Sequence, residues 1–161
     1  ILAIIGGAIC WIFAPQGFGD WQAASATITG LIAKENVVST FGILYDGDAG
    51  WYANVQAAFT YASGYAFLAF NLLCAPCFAA MGAIKREMNN TKWFFAAMGY
   101  QCGIAWVVSL WIYQFAGMVV GEVSFNVFTV LAIATFIAFL WLLFRPNKWQ
   151  DKAAVRAVDE A

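Results

Sequence analysis

Two long stretches carry no charge at all. Trp93–Gly121 and Val123–Phe144 contain no Asp, Glu, Lys or Arg, and only Glu122 separates them. A helix needs about 20 residues to cross the hydrocarbon core of a bilayer, so each stretch is long enough to do so. A third stretch, Ala49–Ile84, is also uncharged. As one continuous helix its 36 residues would reach roughly 54 Å against a core of about 30 Å. It must therefore run into the interfaces or break, and Pro76 marks the place for a break. Trp51 and Tyr52 suit an interfacial start, where aromatic rings sit at headgroup depth.

Composition agrees. Of 161 residues, 63% are hydrophobic and 11% charged, with a mean hydropathy of +0.73 and eight Trp, whereas soluble domains carry about 25% charged residues. The expected fold is all-α: a polytopic set of transmembrane helices. A net charge of −1 without clustered bases argues against nucleic acid as a partner. The absence of His excludes imidazole metal sites and His-dependent triads. No GxxxxGK[ST], GxSxG or HExxH pattern is present, so neither a phosphate-cradling loop nor hydrolytic chemistry is visible. The chain opens on ILAIIGGAICWIF, without an initiator Met or a basic leader, which is expected of a fragment cut inside a transmembrane helix.

These features divide the chain into the end of a truncated helix (1–14), a segment containing AKE (20–45), a helix with CxxC and a proline kink (51–88), two further spans (92–120 and 123–145) and a tail (146–161). APQGFGD breaks the first run. Lys85, Arg86 and Lys92 form a basic loop, and Arg145, Lys148, Lys152 and Arg156 a basic tail. DGDAG and Glu122 are acidic. The positive-inside rule then puts the basic loop and C-terminus in the cytoplasm and DGDAG and Glu122 outside. The tail's spacing suits an interfacial or solvated terminal helix.

In GLIAKENVVST, residues 30–40, Lys34 and Glu35 fall near the middle of an otherwise apolar or hydroxylated segment. Charge at bilayer depth is costly and normally faces a cavity or a partner. Residues at i and i+1 do not face each other on a helix, so the two cannot simply neutralise one another there. Either the helix is interrupted near Gly30 and lines a substrate path, or the charges snorkel, or pair structurally with other segments. Asn36, Ser39 and Thr40 add neutral oxygen groups nearby. Ala26, Gly30 and Ala33 are small and spaced for close helix approach. Whether 21–45 spans or re-enters is left open.

In NLLCAPCFAAM, Cys74 and Cys77 are three residues apart, with Met81 four further on, so a regular helix would put them on one face. Pro76 would free the carbonyl of Leu72. That arrangement suits a soft-metal station, because thiolates select transition metals over Mg²⁺ or Ca²⁺. It equally suits packing by small apolar residues. Cys10 and Cys102 read as packing residues.

GLIAKENVVSTFGILY, followed by NLLCAPCFAAMGAIKRE, resembles the C-terminal membrane region of the ferrous-iron transport protein B (FeoB) family. The resemblance begins near GFGDWQAA and runs through AIKRE. It implies a multi-pass bacterial inner-membrane protein that imports Fe²⁺, with a GTP-binding domain outside this chain. It also implies gate-type segments, one of them interrupted or re-entrant, of a kind shared with nucleoside-transporter-like proteins. Gly30, Ala33, Lys34 and Glu35 match the gate motif, and Pro76 and Cys77 the family's Pro-Cys pair. On this resemblance Glu35 and Cys77, joined by Cys74, are the expected Fe(II) ligands, and Lys34 the counter-charge of Glu35. Gly30, Lys34, Asn36, Ser39, Thr40, Pro76 and Met81 are expected to line the path. No permanently bound cofactor is expected: Fe(II) is cargo, and GTP acts only through the separate domain. The expected partners are the bilayer, the remaining helices and GTP-binding domain of a parent protein, and, as an option, further copies of itself. The alternatives are a nucleoside or other small-solute permease and a structural membrane subunit that transports nothing.

Overall fold

A computed structural model describes residues 1–48 and 50–145. Within them all regular structure is helical, as expected: α1 (Leu2–Ile9), α2 (Trp21–Gly30), α3 (Asn36–Leu44), α4 (Trp51–Ala58), α5 (Tyr61–Leu73), α6 (Phe78–Met88), α7 (Thr91–Val120) and α8 (Val127–Phe144). Two 3-10 turns, Cys10–Ile12 and Ala14–Gln16, join α1 to α2. Three stretches are long and apolar enough to cross a membrane: Tyr61–Met88, Thr91–Val120 and Val127–Phe144. The tail expected at 146–161 lies outside the described residues.

The span expected at 51–88 is not one kinked helix but three pieces. The first break falls at Phe59 and Thr60. Thr60 caps α5 through a reciprocal box, its hydroxyl accepting from the Ser63 N–H at 3.2 Å while Ser63 Oγ accepts from the Thr60 N–H at 2.9 Å. Such hydroxyls compete with helical backbone bonding and start a new helix. The second break is at Pro76. A proline disfavours helical backbone in the residue before it and has no N–H to donate. The chain leaves the helix at Cys74 (ψ 173°) and re-enters it after Cys77 (ψ 159°).

The segment 20–45 doubles back on itself. The hydroxyls of Thr29 on α2 and Thr40 on α3 share a hydrogen bond of 2.8 Å. At the other end the Tyr45 hydroxyl donates to the carboxylate of Asp20, and Asn54 Nδ2 donates to the Tyr45 carbonyl at 2.8 Å. Asp20 and Tyr45 therefore sit together, and Leu31–Glu35 forms the tip of a hairpin. Limbs of 10 and 9 residues reach about 15 Å, roughly half a hydrocarbon core. This fold-back is the geometry that the re-entrant alternative requires.

The first residues also depart from expectation. Regular α-helix stops at Ile9, short of the expected residue 14, and within APQGFGD the side chains of Gln16 and Phe18 are buried while Ala14 and Gly19 are exposed. Phe13 and Phe18 stack at 5.3 Å and meet Phe70 and Phe67 of α5 edge-on at 5.1 and 5.3 Å. Gln16, 0% exposed, donates through Nε2 to the Trp106 carbonyl at 3.1 Å and accepts from the Ser109 hydroxyl at 3.0 Å. Gln114 donates to the Pro15 carbonyl at 3.2 Å, and Trp106 Nε1 to the Ile12 carbonyl at 3.0 Å. Irregular backbone at membrane depth persists only where protein groups satisfy it. Here α7 supplies those groups. Its Ser109 also lies 2.8 Å from the Ala66 carbonyl, joining α7 to α5. α8 joins α7 through Thr129 to Gln114 (2.8 Å) and Trp111 to Thr135 (2.9 Å).

Candidate functional site

The hairpin tip meets the Pro76 break. Each interruption leaves backbone groups without helical partners, and the two supply one another. The Leu31 carbonyl, at the tip, accepts from the N–H of Phe78, the first residue of α6, at 3.0 Å. From the same tip the Lys34 ammonium donates to three carbonyls where α5 ends: Asn71, Leu72 at 3.2 Å and Cys74 at 3.5 Å. Five residues of hairpin thus close the C-terminal end of α5 and the N-terminal end of α6.

Gly30 permits the two limbs to close. A Cβ there would lie 2.7 Å from Val37 Cγ2, so a side chain would push α2 and α3 apart, and 3.6 Å from Asn71 Oδ1, an ordinary contact with α5. Ala26, one turn earlier, is fully buried. The tip's own amides are satisfied locally, with Ile32 donating to Thr29 and Asn36 to Ala33 at 3.0 and 2.9 Å.

The crossing does not make Lys34 the counter-charge of Glu35. An ammonium has three N–H donors, and three carbonyls receive them. A cation at a helix C-terminus also meets the negative end of the helix dipole. Glu35 occupies the N-cap position of α3 with its side chain exposed. Asn36 is half-buried as the first residue of α3, and Ser39 is exposed. Thr40 is buried, its hydroxyl engaged with Thr29 inside the hairpin.

The two thiols do not share a helix face, because Pro76 divides the helix between them. Cys74 ends α5, and its buried thiol donates to the carbonyls of Asn71 (3.4 Å) and Ala75 (3.8 Å). Cys77 is the N-cap residue before α6 and is half-buried, as is Met81 one turn later. Gly30, Lys34, Cys74, Pro76 and Cys77 thus converge on the crossing. Among the described residues no three His, Cys, Asp or Glu side chains gather closely enough to hold a metal ion.

Asn71 belongs to this site and carried no weight in the sequence. Its side chain donates to the Phe67 carbonyl at 2.9 Å and its backbone carbonyl receives Lys34. The available signal was a lone amide in an apolar run, three residues before Cys74.

Residues 1–91, from α1 to the first residue of α7, match the Gate family model, described as nucleoside recognition. The Fe(2+) transporter FeoB of Staphylococcus aureus (strain COL) is 39% identical over 114 residues, covering 70% of this chain and 17% of the relative. The Fe(2+) transporter FeoB of Methanocaldococcus jannaschii is 40% identical over 110 residues, covering 68% and 16%. A Porphyromonas gingivalis Fe(2+) transport protein A/Fe(2+) transporter FeoB fusion protein is 35% identical over 125 residues, covering 68% and 15%. The chain spans about a sixth of the length of these relatives. No solved structure matches it.

Proposed function

The chain belongs to the Gate family, and from that premise we propose that it forms part of the membrane pathway by which a longer protein imports Fe(II). The observation that carries the reading is the crossing of the hairpin tip with the Pro76 break. Interrupted helices meeting about half-way through a bilayer are a recurrent way to place polar groups beside a moving ion. The names of the relatives supply the cargo.

In this reading Glu35 offers a hard carboxylate and Cys77 a softer thiolate on opposite elements of the crossing. Cys74 joins them once its thiol leaves the Asn71 and Ala75 carbonyls. Asn36, Ser39 and Met81 line the approach. Fe²⁺ lies low in the divalent affinity order, so geometry and availability set selectivity more than strength of binding. The membrane is the bacterial inner membrane, with the Lys85, Arg86 and Lys92 loop and the C-terminus in the cytoplasm. The iron is cargo rather than a resident cofactor. The chain is a transporter part rather than an enzyme, and GTP acts through a GTP-binding domain elsewhere in the longer protein. The remaining membrane helices complete the pathway.

The test is anaerobic uptake of radioactive Fe(II) by the full-length protein carrying Glu35→Gln or Cys77→Ser. Each change is expected to lower uptake about tenfold or more, the scale of losing a metal-site group. Wild-type uptake in both would remove the ligand assignment. The family model's description favours a second reading, a nucleoside permease. Uptake of labelled nucleoside that excess Fe(II) does not inhibit, with no Fe(II) uptake, would replace the first reading by this one. A purely structural subunit would be indicated by uptake of neither Fe(II) nor nucleoside that depends on Glu35 or Cys77.

A further inference from the structure

Three backbone carbonyl oxygens, those of Asn71, Leu72 and Cys74, converge on one point at the end of α5, and that point is occupied by the Lys34 Nζ. Three oxygens around one positive charge at a helix C-terminus are the elements of a monovalent-cation site. In transporters with broken helices, unwound carbonyls and half-helix C-termini hold free alkali ions in this way. Neutral carbonyls suit a single charge, and the dipole of the 13-residue α5 adds attraction. Pro76 has no N–H for the Leu72 oxygen and the chain is out of helix from Cys74 to Cys77, while Gly30 lets α2 and α3 close into the hairpin whose tip carries Lys34.

We propose that Lys34 is a tethered cation: it fills an oxygen site of alkali-ion type, so that the crossing carries its own positive charge and needs no free monovalent ion to hold it closed. Two consequences follow. The intact protein is indifferent to the identity of the monovalent cation around it. With the ammonium removed, the three carbonyls become a site for Na⁺ or another small monovalent cation, and stability becomes dependent on that ion. Lys34 is a positioning residue here, acting through the ends of α5 and α6 and not on cargo.

The experiment measures thermal unfolding of the full-length protein in detergent, at constant ionic strength, in chloride salts of N-methylglucamine, sodium or ammonium. Wild type should give one melting temperature in all three. Lys34→Ala should melt lower in N-methylglucamine and rise saturably as sodium or ammonium replaces it. A ligand that binds only the folded state raises stability in this way, in proportion to the logarithm of one plus its concentration over Kd. Lys34→Arg, which keeps a tethered charge, should stay insensitive to the cation. A Lys34→Ala protein as stable as wild type in N-methylglucamine, or one destabilised equally in all three salts, would overturn the proposal, since a merely structural cap predicts the latter. Where Lys34→Ala does not fold, Lys34→Gln provides the same reading with the charge removed and part of the hydrogen bonding kept; a flat cation response there likewise overturns it. No readout uses iron, so an error in the Fe(II) assignment leaves this result unaffected.

Discussion

Adding one methyl group at Gly17 tests whether the APQGFGD turn is seated against α7. Gly17 has φ 78°, in the left-handed region, where a side chain costs about 1–2 kcal/mol. A Cβ at this position would lie 2.2, 2.5 and 2.9 Å from three ring atoms of Tyr113. Ring or turn must move, and overpacking of this kind costs about 1–3 kcal/mol. Gly17→Ala should therefore destabilise by about 2–5 kcal/mol. Gly121 provides the control: its φ is 82° and nothing lies within 4 Å of its added Cβ, so Gly121→Ala should show only the backbone cost of about 1–2 kcal/mol. The assay is reversible unfolding in mixed detergent and SDS micelles, followed by tryptophan fluorescence. Repeating Gly17→Ala in a Tyr113→Ala background completes a double-mutant cycle. The coupling should equal the overpacking share, about 1–3 kcal/mol. A coupling below about 0.5 kcal/mol, the scatter expected of independent sites, would refute the packing of the turn against Tyr113.

Two smaller perturbations probe the hairpin and the crossing. Phe78→Pro removes the N–H that donates to Leu31 while leaving α6 otherwise content, since proline is tolerated at the first helical position and Cys77 already has extended backbone. Its expected cost is about 1 kcal/mol in the same unfolding assay, with reduced Fe(II) uptake, and unchanged stability would argue against the bond. Thr29→Val and Thr40→Val should each cost about 0.5–1.5 kcal/mol, the value of one hydrogen bond. The double variant should cost less than the sum, and strict additivity would show that the two hydroxyls do not meet.

Helical class, apolar spans and the interruptions near Gly30 and at Pro76 were legible because each has a local cause; the break before α5 at Thr60 was not expected. Gly30 ends a helix before two charges, and Pro76 bars helix at Ala75. The direction in which the chain leaves a break has no such local cause. Nothing in LIAKE announces a reversal; the reversal rests on Thr29 meeting Thr40 and Tyr45 meeting Asp20, pairs 11 and 25 residues apart. The role of Lys34 was hidden for the same reason. Its partners are backbone carbonyls some forty residues away, and carbonyls leave no mark in a sequence. Reading Cys74 and Cys77 on one face assumed that the helix bends at Pro76, when the proline separates it into two. APQGFGD was read by its Pro and Gly alone, and the two Phe rings and Gln16 that bury it need α5 and α7 to be in place first.

The hairpin also bears on a question of parity. An element that leaves and returns by the same face adds nothing to the number of membrane crossings. Asp46 and Asp48 follow that return, and α4 leads from them to the start of α5. The groove of about 710 Å³ there is lined by residues of both helices together with Glu122. The two acidic loops are therefore expected to share one compartment, although four helices, α4 to α7, separate Asp48 from Glu122 in the chain. From residue 48 onward the three apolar stretches, if each crosses once, make an odd number of passages, so Arg145 is expected opposite Asp48. Reporter tags inserted at residues 47 and 122 would be labelled from one side, and a tag after residue 145 from the other. A straight crossing of residues 20–45 would leave that pattern unchanged and invert only the side assigned to Gly19.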